Sequence, residues 1–325
     1  MSIMRADKIA TLRKEKDEIN AFNKEAIMKK IFLIGLIVVS CISILMFLGL
    51  HNVNASDVGG GRYKVDKQWQ TKKELRVPES VLYDESRNVL YVSNINGKST
   101  EKNGQEFISK VSLDGKIEVL KWATGLHAPK GLAIFKNNLY VSDIDHLIEI
   151  DINTGKIVAK YPATGAKFLN DVATDASGNV YVTDMSSENS VIYIMKHGTI
   201  AVWMKEPEIS RPNGLDIEGK RLFVGNSGDG SLKAINLADK KIKTIAKVGS
   251  GIDGLRSDGK GNYFISDWRG KTSLVTASGQ TIVLIDTTSL KINSADLEYI
   301  KSRKLLLIPT FFANRVVSYA VKEIP

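Results

Sequence analysis

Residues 171–184 read DVATDASGNVYVTD. Two short segments with the two-residue side-chain period of a strand flank the turn-forming residues Asp-Ala-Ser-Gly-Asn. Such alternation favours β-strands, and a Gly- and Asn-containing turn between two strands is typical of a β-hairpin. The second segment, VYVTD, returns along the chain as LYVSN (90–94), LYVSD (139–143), LFVGN (222–226), YFISD (263–267) and LLIPT (306–310). The six copies end 41 to 49 residues apart. The chain is therefore built from a repeated β unit.

Each copy follows a shorter apolar segment and precedes two further strand-like segments, as in VIYIMK (191–196) and IAVWMK (200–205). Four short antiparallel strands in about 40 residues are typical of a propeller blade. Six units predict an all-β, six-bladed β-propeller over residues 71–325. A β-sandwich also uses many short strands, but nothing in that architecture requires a repeat of this period.

An apolar segment precedes the propeller. Residues 31–50 (IFLIGLIVVSCISILMFLGL) are uncharged and, as a helix, are long enough to cross a bilayer. Residues 1–30 form a basic tail with eight Lys or Arg residues and five acids. We therefore expect one N-terminal transmembrane or signal helix, followed by a linker over residues 51–70 that also supplies a strand to close the ring.

Two interpretations of this N-terminal region remain open. By the positive-inside rule, residues 31–50 anchor the protein in the membrane and the basic tail stays in the cytoplasm. Alternatively, a secretory signal starts at Met28 and is cleaved after Ala55, so that residues 1–27 lie upstream of the translated product. Both interpretations place the propeller outside the cytoplasm, as a periplasmic, secreted or membrane-anchored domain.

The composition bears on two properties, disulfide bonds and nucleic-acid binding. Cys41, inside the apolar segment, is the only cysteine, so the globular part contains no disulfide. The net charge is +9, but no cluster of five or more Lys or Arg residues occurs. Nucleic acid is therefore not an expected partner.

Equivalent triplets are predicted just before the first strand of each repeat. They are Pro78-Glu79-Ser80, Pro129-Lys130-Gly131, Leu169-Asn170-Asp171, Pro212-Asn213-Gly214, Ile252-Asp253-Gly254 and Ser294-Ala295-Asp296. Because the innermost strands of a propeller surround its central channel, these triplets are predicted to form a ring at one mouth. The middle residue carries a side-chain oxygen in four of the six triplets, at Glu79, Asn170, Asn213 and Asp253. Two carboxylates and two amides suit Ca²⁺ or another hard divalent cation better than zinc. The alternative is ordinary turn chemistry, since Asn-Gly and Asp-Gly are common in turns, but turns alone do not predict oxygens at four equivalent positions.

Other residues are predicted near the same mouth. The second strand of each repeat runs back, so its last residue, such as Asp143 or Asp184, is expected at the rim. Trp268 and Arg269 follow one of these strand ends, where they could supply an apolar wall and an anion-orienting guanidinium, or pack between blades. His127, in the loop GLHAPKG, is a further candidate for substrate binding or for a base.

At these residues the chain resembles the calcium-dependent propellers of the regucalcin/gluconolactonase family, over residues 77–319. Diisopropyl fluorophosphatase and the paraoxonases are more distantly similar. The matching motifs are VPESVLYD with Glu79, PNG with Asn213, IDG with Asp253 and LND with Asn170. The resemblance implies that Glu79, Asn213 and Asp253 bind the metal, and that Asn170 binds metal or substrate. The substrate-binding arginine of the sugar-lactone hydrolases has no matching position here.

The resemblance implies calcium-dependent hydrolysis of a small lactone or related ester. The metal would act as a Lewis acid, Asp253 as general base or direct participant, and Asn170 and Asn213 would orient the substrate. Two other functions remain open. One is a non-catalytic propeller that binds a ligand or protein and uses the metal structurally. The other is phosphotriester hydrolysis at the same site.

Overall fold

The computed structural model describes residues 62–324, which form 24 β-strands and three single-turn 3₁₀ helices at Thr288–Leu290, Lys301–Arg303 and Phe311–Ala313. The strands make six four-stranded antiparallel sheets. Neighbouring sheets contact one another through their first strands, and the sixth sheet contacts the first, so the ring is closed. The predicted all-β, six-bladed propeller is confirmed.

The strands are divided evenly among the blades. Strand β1 (Tyr63–Gln70) comes before blade 1 in the chain. Blade 1 contains β2 (Pro78–Asp84), β3 (Val89–Asn94), β4 (Glu106–Val111) and β5 (Ile117–Leu126). Blade 2 contains β6 (Pro129–Phe135), β7 (Asn138–Asp143), β8 (His146–Asp151) and β9 (Ile157–Pro162). Blade 3 contains β10 (Leu169–Thr174), β11 (Val180–Asp184), β12 (Val191–Lys196) and β13 (Thr199–Met204).

The second half of the ring follows the same order. Blade 4 contains β14 (Pro212–Glu218), β15 (Arg221–Asn226), β16 (Ser231–Asn236) and β17 (Ile242–Lys247). Blade 5 contains β18 (Leu255–Ser257), β19 (Tyr263–Asp267), β20 (Lys271–Val275) and β21 (Thr281–Asp286). Blade 6 contains β22 (Glu298–Ile300), β23 (Leu305–Pro309) and β24 (Val316–Glu323), with β1 as its fourth strand. The first strand of each blade, which we call the inner strand, lines the channel.

Blade 6 is completed by both ends of the described chain. Strand β1 pairs antiparallel with β24, with Tyr63 opposite Glu323 and Val65 opposite Val321. The backbone N–H of Ile324 donates to the Arg62 carbonyl at 2.7 Å. This pairing joins the two ends of the propeller, so separating them requires breaking a whole strand ladder.

The core consists of apolar clusters between neighbouring blades. One cluster joins blades 1 and 2 through residues that include Tyr91, Ile108, Leu132, Leu139 and Val141. The central valine of the recurring motif is fully buried in the first four blades, because the sheet is covered on both faces. Each such valine contributes about 1.5–3 kcal/mol through burial. The repeated sequence pattern is therefore a packing pattern.

The predictions for residues 1–30, the apolar segment 31–50, Cys41 and cleavage after Ala55 all lie outside the described residues. Within residues 62–324, no helix is both long and apolar enough to cross a membrane.

Candidate functional site

A cavity of about 650 Å³ lies where the inner strands begin. All four predicted metal ligands, Glu79, Asn170, Asn213 and Asp253, line it. They come from blades 1, 3, 4 and 5 and are all buried. The fold therefore brings together residues that are up to 174 positions apart in the chain.

A break in strand pairing orients three of these side chains. In blade 1, Pro78 is opposite Asn94 and the next paired residue is Val81, opposite Val92. The same shift follows Leu169 in blade 3 and Pro212 in blade 4. Bulges of this kind redirect side chains and are common beside active sites. The prediction that the triplets precede the inner strands is wrong for these blades, because the strand already begins at the residue before the bulge.

Asp253 lies just before its inner strand but is held by β19. Its backbone N–H donates to the Ser266 carbonyl at 2.8 Å, and the Gly254 carbonyl accepts from the Ser266 N–H at 3.1 Å. A Cβ added to Gly254 would lie 2.5 Å from the Leu297 backbone nitrogen. Only glycine at this position lets blade 6 approach closely behind the Asp253 carboxylate.

Each of the four ligand candidates has a buried oxygen that has no hydrogen-bond partner among the described residues. These atoms are Glu79 Oε2, Asn170 Oδ1, Asn213 Oδ1 and Asp253 Oδ2. A buried polar atom without a partner costs about 1–3 kcal/mol, so natural proteins contain few of them. Four such oxygens around one cavity fit the donor set of a hard divalent cation.

Hydrogen bonds fix which amide atom remains without a partner. The Asn213 side-chain N–H donates to Asp253 Oδ1 and to the Met185 sulfur, the latter at 3.2 Å. The Asn170 side-chain N–H donates to the same sulfur at 3.6 Å. Both amides therefore use their nitrogen within the protein and leave their oxygen for a ligand.

Across residues 62–324, no group of three or more His, Cys, Asp or Glu side chains is arranged to hold a metal. The set described here instead combines two carboxylates with two amides, a mixture that calcium accepts because carbonyl oxygens are among its usual ligands.

Burial disfavours the charged form of both carboxylates, Glu79 and Asp253. Burial raises the pKa of Asp253 to about 7, and the Asp296 carboxylate adds to this effect. Burial and then the Asp253 charge raise the pKa of Glu79 well above its usual range. A divalent cation would remove both penalties, because it favours the ionised form of each group.

Most of the residues that end the second strands do not line the cavity. Two of them accept hydrogen bonds from the backbone of loops. Asp143 accepts the backbone N–H groups of His127 and Ala128 at 3.0 and 2.6 Å. Asp184 accepts those of Lys167 and Phe168 in the same way. Of the six strand-end residues, all within the described chain, only Asp267 lines the cavity. In blades 2 and 3 the Asp that ends the second strand therefore holds the loop that leads into its own inner strand.

Trp268 and Arg269, for which the sequence left a place at the cavity and packing between blades both open, line the cavity. Trp268 stacks edge-on with Phe311 and Phe312, at ring-centroid distances of 5.6 and 6.0 Å. Trp268 and Phe312 are 43% and 62% exposed, so this aromatic edge is open to a ligand.

His127 does not line the cavity within the described part of the chain. Its ring Nδ1 accepts the Gly104 backbone N–H at 3.2 Å, which fixes the ring against the loop of blade 1. The prediction that His127 reaches the cavity is corrected accordingly, and it has no place in the proposed site.

Sequence reasoning assigned no role to Lys130, which occupies the equivalent ring position in blade 2 and lines the cavity. Its side chain is only 1% exposed. Burial lowers the pKa of Lys130 to about 8, against the opposing effect of the Glu79 charge, so the ammonium is mainly charged at neutral pH. The signal in the sequence is its place as the middle residue of the triplet Pro129-Lys130-Gly131, which is equivalent to the place of Glu79 in blade 1.

Sequence reasoning also missed a buried charge network centred on Arg256. Its guanidinium nitrogens lie 3.6 Å from Asp171, 3.7 Å from Asp296 and 3.7 Å from Glu298, measured to carboxylate oxygens. Although burial alone would lower it, the carboxylates of Asp296 and Asp171 raise the pKa of Arg256. No feature of the sequence LRS around Arg256 marks this role. The network joins the inner strands of blades 3, 5 and 6.

Solved structures share this architecture. A protein proposed to be a gluconolactonase superposes with a TM-score of 0.60 at 16% identity, covering 84% of this chain and 97% of that one. Streptogramin B lyase gives a TM-score of 0.59 at 9% identity, over 81% and 98% of the two chains. Virginiamycin B lyase from Staphylococcus aureus gives 0.55 at 15% identity, over 81% and 88%. At these identities the likeness shows the fold alone.

No curated protein matches the chain in sequence. The sequence profile of the SMP-30/gluconolactonase/LRE-like region matches residues 77–295, which include all four ligand candidates. The match spans well over half of the chain. The protein therefore belongs to the SMP-30/gluconolactonase/LRE-like family.

Proposed function

We propose that the protein is an exported, calcium-dependent hydrolase of lactones or related esters. The observation that carries this proposal is the set of four partnerless oxygens from Glu79, Asn170, Asn213 and Asp253 around one cavity. Family membership supports hydrolysis. Export is supported by the uncharged segment 31–50 that precedes the propeller.

The four oxygens would hold the cation, which when bound would supply Lewis-acid polarisation of the substrate carbonyl. Asp253 accepts the proton of the attacking water, whose oxygen bonds to the carbonyl carbon as the ester C–O bond breaks. The proton then passes to the leaving alkoxide. Asn213 positions Asp253 through its side-chain N–H, and Asn170 borders the space where the substrate lies.

The size and lining of the cavity support the proposed class of substrate. A volume of about 650 Å³ suits a small organic molecule. The aromatic edge formed by Trp268, Phe311 and Phe312 offers an apolar surface, and the Arg269 guanidinium lies beside it. A lactone or ester with an apolar part would use both the oxygens and the aromatic edge.

The direct test is hydrolysis of a panel of lactones, aryl esters and phosphotriesters by the purified protein. We expect lactone or ester hydrolysis that EDTA abolishes and added calcium restores. Faster turnover of the phosphotriesters would instead assign the site to that chemistry. If calcium only raises the melting temperature and no substrate is turned over, the protein is a non-catalytic binding propeller and the proposal is wrong.

Calcium affinity is expected to depend on pH. The Asp253 carboxyl has a pKa of about 7 in the metal-free protein, and that of Glu79 is also raised. Below pH ~7 protons compete with the metal, so calcium should bind at least ~10-fold more weakly at pH ~6 than at pH ~8. Calorimetric titration at the two pH values measures this difference, and equal affinities would contradict it.

The raised pKa of Asp253 also affects the stability of the metal-free protein, and this effect has the opposite pH dependence. A carboxyl whose pKa is higher in the folded than in the unfolded state stabilises the fold while it is protonated. That stability is lost as the pH rises from ~4 through the folded value of about 7. The stabilisation by added calcium should therefore be greater at pH ~8 than at pH ~6.

A further inference from the structure

Lys130 occupies in blade 2 the position that Glu79 occupies in blade 1. Pro129 is opposite Asp143 and the next paired residue is Leu132, opposite Val141, which repeats the bulge seen in blade 1. A protonated lysine has three donors and no acceptor, so it cannot ligate a metal. The ring therefore contains one buried cation among its oxygen ligands.

The contacts of the Lys130 ammonium leave part of its binding capacity unused. Its nitrogen donates to the backbone carbonyls of Ser99 and Ala128 at 3.1 and 3.0 Å. It also lies 4.5 Å from the centroid of the Phe168 ring. Two of three N–H groups are thus used, and within residues 62–324 no carboxylate lies within 4 Å of the nitrogen. The Glu79 and Asp143 carboxylates raise the pKa of Lys130 from more than 4 Å away, so neither uses its third N–H, which is left for an anion.

The charge of the cavity favours an anionic ligand. Four basic side chains line it, namely Lys98, Lys130, Arg211 and Arg269, against three acids, Glu79, Asp253 and Asp267. A bound divalent cation would bring the positive charges to six against three negative ones. A cavity with such an excess attracts and concentrates anions.

We propose that Lys130 binds a carboxylate of the substrate, so that the natural substrate is a lactone or ester that carries a negatively charged carboxylate substituent. This inference rests on the proposed function. One free N–H suits a single carboxylate oxygen, whereas a phosphate would call for several donors. The carboxylate lies on the blade 2 side of the cavity, and the aromatic edge of Trp268, Phe311 and Phe312 accepts the rest of the substrate.

The test compares the mono-p-nitrophenyl ester of glutaric acid with its methyl-capped neutral form. Each rate is corrected for the reaction without protein, because the free carboxylate of the charged ester also cleaves that ester intramolecularly. For Lys130→Met we expect kcat/KM for the charged ester to fall ~10- to 100-fold. The value for the neutral ester should change by less than ~3-fold. Lys130→Gln keeps a donor for the backbone carbonyls but removes the charge, and should behave in the same way. It serves as the test if Lys130→Met does not fold.

Lys160→Met is the matched control, because Lys160 is an exposed lysine of the same blade that does not line the cavity. It should change the ratio of charged to neutral kcat/KM by less than ~3-fold. If Lys130→Met and Lys130→Gln lower kcat/KM equally for both esters, Lys130 has a structural role and the inference is overturned. An unchanged ratio overturns it as well.

Binding of glutarate to the calcium-loaded protein separates this inference from the proposed function. Calorimetry should show binding to the wild-type protein and at least ~10-fold weaker binding to Lys130→Gln. If Lys130-dependent glutarate binding occurs but no ester is hydrolysed, the hydrolase assignment fails and the carboxylate site stands. If the esters are hydrolysed but glutarate binds both proteins equally, the carboxylate site fails and the hydrolase stands.

Discussion

Asp253→Asn is expected to lower calcium-dependent kcat/KM by ~10²- to 10⁴-fold, the usual contribution of a general base, while leaving the protein folded. Asparagine has nearly the same shape and keeps one oxygen, but it cannot accept the proton of the attacking water. Hydrolysis rates at saturating calcium measure the effect. Because Asp253 is a buried carboxylate whose pKa burial raises, removing its charge should leave the metal-free protein at least as stable as the wild type.

Asp267→Asn is the matched control for this substitution. Asp267 lines the same cavity, but one of its carboxylate oxygens accepts the Arg269 backbone N–H at 3.0 Å. Neither of its oxygens is among the buried atoms without a partner in the described chain. We expect less than a ~10-fold loss of kcat/KM for this variant. If Asp253→Asn kept wild-type activity, or if both variants lost it equally, Asp253 would not have the proposed role.

Arg256→Met is expected to lower the free energy of unfolding by about 3–5 kcal/mol, the usual cost of removing one partner from a buried ion network. It leaves Asp171, Asp296 and Glu298 without the cation that lies 3.6–3.7 Å from each of them. Urea denaturation measures the change. Arg62→Met is the control, since Arg62 is 72% exposed in its pair with Glu323 and such pairs contribute about 0–1 kcal/mol.

The loss caused by Arg256→Met should also depend on pH. Burial already raises the pKa values of Asp171, Asp296 and Glu298, and removing the arginine raises them further. Carboxyls with raised pKa values stabilise the fold only while protonated, so the variant should be less stable at pH ~8 than at pH ~5. A variant within 1 kcal/mol of the wild type at both pH values would show that the network is not needed for stability.

The ring of Glu79, Asn170, Asn213 and Asp253 was predictable because the repeat itself defines equivalence. Once VYVTD and its copies are aligned, the residues at the start of each inner strand must lie around one axis. The fold therefore follows from periodicity, and the candidate ligands follow from the fold.

The rest of the site depends on contacts that the repeat does not encode. Arg256 is a single residue in a short strand, and its partners come from other blades. His127 was misplaced because its orientation depends on a hydrogen bond from Gly104, in a loop that belongs to blade 1. Asp143 resembles a rim residue in sequence, but it holds a loop because backbone N–H groups converge on its carboxylate.

The central claim is that four side-chain oxygens bind one divalent cation. Calorimetric titration of the metal-free protein with calcium, alongside Glu79→Gln and Asn213→Ala, tests it most directly. We predict one calcium ion per chain in the wild type and at least ~10-fold weaker binding in each variant, since each loses a ligand oxygen or its charge. Absence of calcium binding in the wild type, or equal binding by all three proteins, would contradict the claim.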